Sequence, residues 1–186
     1  MNVTRSQSPP SPSRGRRRTT IAALTIAVCL TGPSAVLTQP ASADTGNFYS
    51  LESADSGYFL DVQGASTAAG APIDVWPETD NLNQKFTYPA AGQIAEIVNQ
   101  GSQMCVTTDG VAGDTLTQEP CTGSLSQYWY AQNVTPWWDF TETLTTLTNP
   151  NSGLVMDVYG GSTYPGAAVD AYSSNGGRNQ EWDLPG

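Results

Sequence analysis

Histidine is missing from all 186 residues. That removes the Ser-His-Asp triad, the Cys-His pair and any histidine-ligated metal from consideration. Basic residues are nearly as scarce: of the seven, Arg5, Arg14, Arg16, Arg17 and Arg18 stand near the amino terminus, and only Lys85 and Arg178 follow. All seventeen acids lie beyond residue 43, which leaves two cations against seventeen anions, a net charge of −15 over that part. Nucleic acid and anionic membrane surfaces carry the same sign and are repelled, so neither is an expected partner. Long apolar runs are also absent. The longest, Ile21–Leu30, has ten residues, about half of what a membrane-spanning helix needs. No D-x-D-x-D-G loop is present to hold calcium; neither a metal nor another cofactor is expected.

The amino-terminal segment reads as an export signal over residues 1–43: an arginine-rich start, the short apolar run, and a small-residue cleavage site at Ala41-Ser42-Ala43. Arg16-Arg17-Arg18 has no Ser or Thr directly before the pair and Thr20 where an apolar residue is usual, which favours general secretion over twin-arginine export. A secreted, extracellular location follows as the expectation. Cys29 leaves with the signal, and Cys105 and Cys121 remain, an even number in an oxidising compartment, for which one disulfide is the default.

From residue 44 onward, Gly, Ser, Thr, Asn and Pro recur every few positions, and no window keeps apolar residues at helical spacing for three turns. Short β-rich runs stand out instead: Asn47–Leu51, Tyr58–Val62, Ile73–Trp76, Ile94–Val98, Met104–Thr107, Thr115–Gln118, Thr143–Thr148, Leu154–Tyr159 and Ala168–Tyr172. Their spacing is that of an all-β sandwich or barrel.

An internal repeat narrows this. Sliding the chain by 96 residues lays Gly57–Phe86 on Gly153–Trp182 without a gap, with eleven of thirty positions identical; chance gives roughly two. A degenerate third copy lies between them. Gln127-Tyr128-Trp129 falls in line with Gln84-Lys85-Phe86 and Gln180-Glu181-Trp182, Gly113 falls on Gly70, and a three-residue deletion then places Cys105 on Phe59. The chain divides into repeats of about 44–90, 91–133 and 134–186, each with room for four strands.

Three four-stranded units ending in Q-x-aromatic, with a G-x-x-L-D-V-like strand upstream in the two intact copies, resemble the ricin B-type lectin family, also known as carbohydrate-binding module family 13. The resemblance covers essentially residues 44–186. It implies a β-trefoil: a six-stranded barrel capped by three hairpins in pseudo-threefold symmetry. It also implies a disulfide within a repeat, and Cys105 and Cys121 occupy the two expected positions of the middle one. Its sugar pocket uses an Asp, a polar residue thirteen positions later, an aromatic two beyond that, then an Asn and the Gln of Q-x-W. The first repeat matches with Asp61, Asp74, Trp76, Asn83 and Gln84; the third matches with Asp157, Asp170, Tyr172, Asn179 and Gln180.

These residue types suit a sugar. An aromatic ring offers a flat apolar face for the C–H side of a pyranose at little rotamer cost. A carboxylate accepts from two vicinal hydroxyls, and an amide matches a hydroxyl that both donates and accepts. One departure is Asp74 and Asp170, where many relatives carry an amide. The middle repeat departs further, with Thr107, Thr117, Glu119 and Ser126 at the pocket positions and only Gln127 kept, so it is expected to be structural. Gln84, Gln127 and Gln180 are also expected to brace strands, and Phe86, Trp129 and Trp182 to lie in the core. Trp137-Trp138 offers a further aromatic surface, with at least one of the two packed inward.

The expectation is a non-catalytic carbohydrate-binding protein with two sites, for mono- or polysaccharides containing galactose, xylose or arabinose. The alternatives are a trefoil protease inhibitor, a protein-interaction module and a glycoside hydrolase; for the last, the trefoil leaves no chain over to form a catalytic domain.

Overall fold

The computed structural model describes residues 47–135 and 142–185. The expected export signal and Trp137-Trp138 lie outside the described residues. Within them are eleven strands: β1 (Glu52–Ser53), β2 (Phe59–Val62), β3 (Ala71–Trp76), β4 (Ile94–Glu96), β5 (Cys105–Thr107), β6 (Thr117–Glu119), β7 (Tyr128–Val134), β8 (Leu144–Thr148), β9 (Val155–Val158), β10 (Ala167–Tyr172) and β11 (Trp182–Asp183). Helical structure among these residues is confined to five single 3-10 turns.

The structure departs from the expected strands in two places. Asn47–Leu51 contributes only an isolated bridge, Tyr49 to Phe86, and the regular pairing starts later, at β1. The longest described strand, β7, was not expected as a strand at all. Its Tyr-Trp-Tyr-Ala run buries Trp129 and Ala131 and leaves Tyr128 and Tyr130 half-buried, the two-residue period of a strand with one face inward.

All pairings are antiparallel. One set joins barrel strands: β4 with β7, β7 with β8, β8 with β11, and β11 with β1, where Glu52 faces Asp183 and Ser53 faces Trp182. The other set forms three hairpins, β2–β3, β5–β6 and β9–β10. Their second strands close a triangle: β3 meets β6 at Ala71 and Pro72, Thr115 bridges to Asp170, and β10 meets β3 at Ala167 and Ala168. A barrel closed by three hairpins about a pseudo-threefold axis is the β-trefoil.

The core repeats with the same symmetry. Leu51, Ile97 and Leu147 take equivalent positions, as do Leu60, Val106 and Met156; Ile73, Leu116 and Val169; and Phe86, Trp129 and Trp182. All twelve are fully buried. Fully burying one such side chain stabilises by about 1.5–3 kcal/mol, so these four triads hold the repeats to one another. The buried indole N–H groups are satisfied by carbonyls of the hairpin strand above, Trp129 to Val106 at 3.1 Å and Trp182 to Met156 at 3.4 Å.

Candidate functional site

The hairpin register decides what each pocket can hold. On β2 and β3, Asp61 stands directly opposite Asp74. Trp76 follows Asp74 by two residues, so it projects from the same face of its strand. Ile73 and Val75 take the other face and fill the core. The 3-10 turn Leu82–Gln84 brings in Asn83, whose Nδ2 donates to Asp61 Oδ2 at 2.8 Å and to the Val62 carbonyl at 3.3 Å. Both carboxyls are buried (5% and 4% exposed), whereas Trp76 is 44% exposed. The third repeat reproduces the arrangement. Asp157 faces Asp170, Asn179 Nδ2 donates to Asp157 Oδ2 at 2.9 Å and to the Val158 carbonyl at 3.0 Å, and Tyr172 is 45% exposed.

Gln84 and Gln180 lie beneath these pockets, fully buried. Each glutamine of the three Q-x-aromatic marks makes the same bonds. Nε2 donates to a carbonyl seven residues back: Pro77 for Gln84, Pro120 for Gln127 and Ser173 for Gln180, all at 3.0 Å. Oε1 accepts the backbone N–H of Thr79, Thr122 or Asn175 at 2.7–2.9 Å. Gln180 Nε2 also donates to Asp157 Oδ2 at 2.8 Å. With their amides occupied inside the fold, Gln84 and Gln180 reach a pocket by fixing its carboxylate.

Two acids side by side out of water cannot both ionise easily. Burial, and then the charge of Asp74, push Asp61 up to about 7. Burial, and then Asp157 beside it, push Asp170 up to about 7. Asp74 and Asp157 are also raised by burial, and hydrogen bonds partly oppose this, from Gln63 to Asp74 and from Gln180 and Asn179 to Asp157. Two buried oxygens of the first pocket, Asp74 Oδ1 and Asn83 Oδ1, have no hydrogen-bond partner within the protein; in the third repeat Asp170 Oδ1 accepts none either, and the Asp170 carboxyl meets Asp157 through a shared proton. A buried acceptor left unmade costs roughly 1–3 kcal/mol, so each pocket is built to receive a donor such as a hydroxyl.

The sequence treated the paired aspartates as separate contacts; the register makes them an acid pair. It also passed over Gln63, whose Nε2 donates to Asp74 Oδ2 at 3.3 Å. The repeat alignment carried no signal for it, because Tyr159 stands at that position in the third copy.

In the middle repeat Thr107 faces Thr117 and Cys105 faces Glu119, the positions the three-residue deletion assigns them. Gln127 Nε2 donates to Thr107 Oγ1 at 3.1 Å where Gln180 meets a carboxylate. The 3-10 turns Gln63–Ala65 and Tyr159–Gly161 that follow β2 and β9 have no counterpart after β5. Cys105 and Cys121 form a disulfide with Cα atoms 5.1 Å apart. Both also belong to a cluster with Glu96 of the kind that holds metal ions, but the bond between them uses both sulfurs. A separate depression lined by Ser50, Glu52, Phe59, Asp183 and Pro185 contains none of the expected sugar-pocket residues.

Comparison with known proteins agrees with this architecture. Residues 47–182 match the model of the ricin-type beta-trefoil lectin domain. Among solved structures, the designed threefold-symmetric protein ThreeFoil is 30% identical with a TM-score of 0.63, the match covering 74% of this chain and 99% of that one. An exo-beta-1,3-galactanase from Clostridium thermocellum is 27% identical at a TM-score of 0.67, over 76% of this chain and 30% of that enzyme. The C-half of an earthworm R-type lectin, solved with GalNAc, shares the fold at 19% identity and a TM-score of 0.59, covering 74% of this chain and 97% of that one. No curated protein matches the chain in sequence. With a family match across nearly all the described residues and three hairpins in matching register, the chain belongs to the ricin-type beta-trefoil lectin domain family.

Proposed function

We propose that this is a secreted, non-catalytic carbohydrate-binding protein with two shallow sugar sites. One is formed by Asp61, Asp74, Trp76 and Asn83 over Gln84, the other by Asp157, Asp170, Tyr172 and Asn179 over Gln180. The observation that carries this reading is a pairing found twice: a half-exposed aromatic ring beside a buried acid pair with an oxygen that accepts no hydrogen bond from the protein. A pyranose supplies what is missing on both counts, an apolar face for the ring and hydroxyl donors for the oxygens. The earthworm lectin solved with GalNAc and a Macrolepiota procera lectin solved with lactose carry sugars on the same fold, which supports galactose-containing ligands; xylose- and arabinose-containing ones are proposed beside them on the pocket chemistry alone.

Glycoside hydrolysis places its two carboxyls on either side of the scissile bond. Here the two lie together at the floor of one pocket, and Asn and Gln side chains hold one of them. Binding without turnover fits this better. Secretion rests on the amino-terminal signal, and the high negative charge supports a role without nucleic acid or membrane surfaces.

A glycan array on the protein beginning at Asp44 tests the reading. The parent is expected to bind a defined set of glycans, and Asp61→Ala/Asp157→Ala to lose them. Equal binding by the double variant would move the sites elsewhere, and release of reducing sugar from a bound polysaccharide would make the protein a hydrolase.

A further inference from the structure

Three turns, one from each repeat, stand at the seams of the triangle of hairpins. They span Ala68–Ala71, Val111–Asp114 and Tyr164–Ala167, and in each the fourth N–H donates to the first carbonyl, at 3.4, 3.3 and 3.3 Å. The third residue is always a glycine at positive φ: Gly70 at 79°, Gly113 at 90° and Gly166 at 81°. These are type II turns, which need φ above zero at that position. Each glycine N–H crosses the seam to a different repeat: Gly166 to the Val75 carbonyl at 2.7 Å, Gly113 to Ala171 and Gly70 to Gln118, both at 2.9 Å.

Val75, Ala171 and Gln118 each precede a platform position directly. Every platform therefore has beside it a turn from another repeat, and the first residue of that turn differs. Tyr164 accompanies Trp76, Val111 accompanies Tyr172, and Ala68 accompanies Glu119. At the first pocket the approach is close: a Cβ on Gly166 would stand 3.3 Å from Cζ3 of Trp76, so the indole edge lies against the backbone of the turn. Tyr164 is 77% exposed, more than any other large apolar side chain among the described residues. Pro165 follows it, at the turn position where a fixed φ sets the backbone in advance. Two peptide units separate Tyr164 from Gly166, which keeps their Cα atoms within about 7.6 Å.

The geometry points to a second subsite at the first pocket, where Trp76 of the first repeat and Tyr164 of the third serve as platforms for neighbouring sugars of one oligosaccharide chain. The third-repeat pocket, with Val111 at the corresponding place, takes a single sugar. This rests on the reading of the pockets as sugar sites. A second ring on a preset turn adds stacking area and loses little freedom on binding.

Calorimetry with galactose, xylose and arabinose, and with a linear trisaccharide of each, tests it. Asp157→Ala isolates the first pocket and Asp61→Ala the third. The first pocket is expected to bind its trisaccharide about tenfold tighter than its monosaccharide, a gain of about 1.4 kcal/mol; the third should show no such gain. Adding Tyr164→Ala should abolish the gain and keep monosaccharide affinity, Tyr164→Phe should preserve it, and Val111→Tyr should confer it on the third pocket. A first pocket without the gain, or with the gain intact in Tyr164→Ala, overturns the subsite and leaves the sugar sites standing. Failure of the parent to bind any of the six sugars overturns the sugar-site reading, and the subsite with it.

Discussion

Trp76 and Tyr172 occupy the same position in two repeats and are almost equally exposed, at 44% and 45%, but the indole presents the larger face. Stacking follows contact area, so Trp76→Ala is expected to weaken sugar binding more than Tyr172→Ala. Both variants are expected to fold, at some loss of stability, because each ring is a little more than half buried. Sugar should shift the intrinsic fluorescence of the parent, with most of that shift gone in Trp76→Ala. A Trp76→Ala protein that fails to fold would make the residue part of the core. The acid pairs give a second prediction at this scale. Asp61 and Asp170 rise to about 7 in the folded protein, against about 3.9 for a free Asp. The folded state therefore binds protons more tightly than the unfolded chain between those values. Their contribution to stability is complete below about pH 4 and is lost as pH climbs through about 7. Thermal unfolding should occur at a higher temperature at pH 4.5 than at pH 7.5. Asp61→Asn/Asp170→Asn, which keeps the shape of the protonated acids, should be more stable than the parent at pH 7.5 and show a flatter profile.

At the scale of elements, the disulfide takes over where the middle hairpin lacks a pocket. It joins residues sixteen apart and crosses from β5 to the segment just after β6. Closing a loop of that size contributes about 3 kcal/mol on the chain-entropy model. Cys105→Ala/Cys121→Ala is expected to lose about 3 kcal/mol of unfolding free energy in denaturant titration while binding sugar as the parent does; unchanged stability would deny the bond its structural role. Much of this level was readable in the sequence. The 96-residue repeat exposed both pockets, because the aspartates, glycines and Q-x-aromatic marks must recur wherever the same hairpin does. The deletion that puts Cys105 on Phe59 also put Thr107 and Thr117 on the two aspartate positions of the pocket. What stayed hidden depends on contacts between distant segments. β7 escaped notice because its polar Gln132 and Asn133 interrupt the apolar pattern, while pairing with β8 along five positions holds it extended. Gln118 sits among apolar positions of the core, and its amide donates at 2.9 Å to both Ser66 and Ala68 in another repeat. No local pattern announces such a bond. The seam turns were invisible for the same reason.

For the whole molecule, two intact pockets on one rigid body predict two monosaccharide sites per chain, each of about millimolar affinity because a shallow pocket touches few atoms. Titration calorimetry at saturating sugar should give a stoichiometry near two. A value of three would return Thr107 and Glu119 to the ligand set. A polysaccharide that spans both sites should bind far more tightly than either site alone, since the second contact forms at high effective concentration. Asp61→Ala or Asp157→Ala alone should then abolish most of the affinity for polymer while halving the number of monosaccharide sites.

The pairing of β1 with β11 also bears on how the domain responds to force. Glu52 faces Asp183 and Ser53 faces Trp182 in antiparallel order, so the chain enters and leaves at the same end of this two-residue clasp. Tension applied through the two ends of the domain strains these bonds one after another, as a zip opens, and never together in shear. Past the clasp the load reaches Trp182, a buried member of the aromatic core triad. Bound to a polymer and pulled from its ends, the domain therefore opens inward from the Tyr49–Phe86 bridge and then this clasp, where the ring was closed.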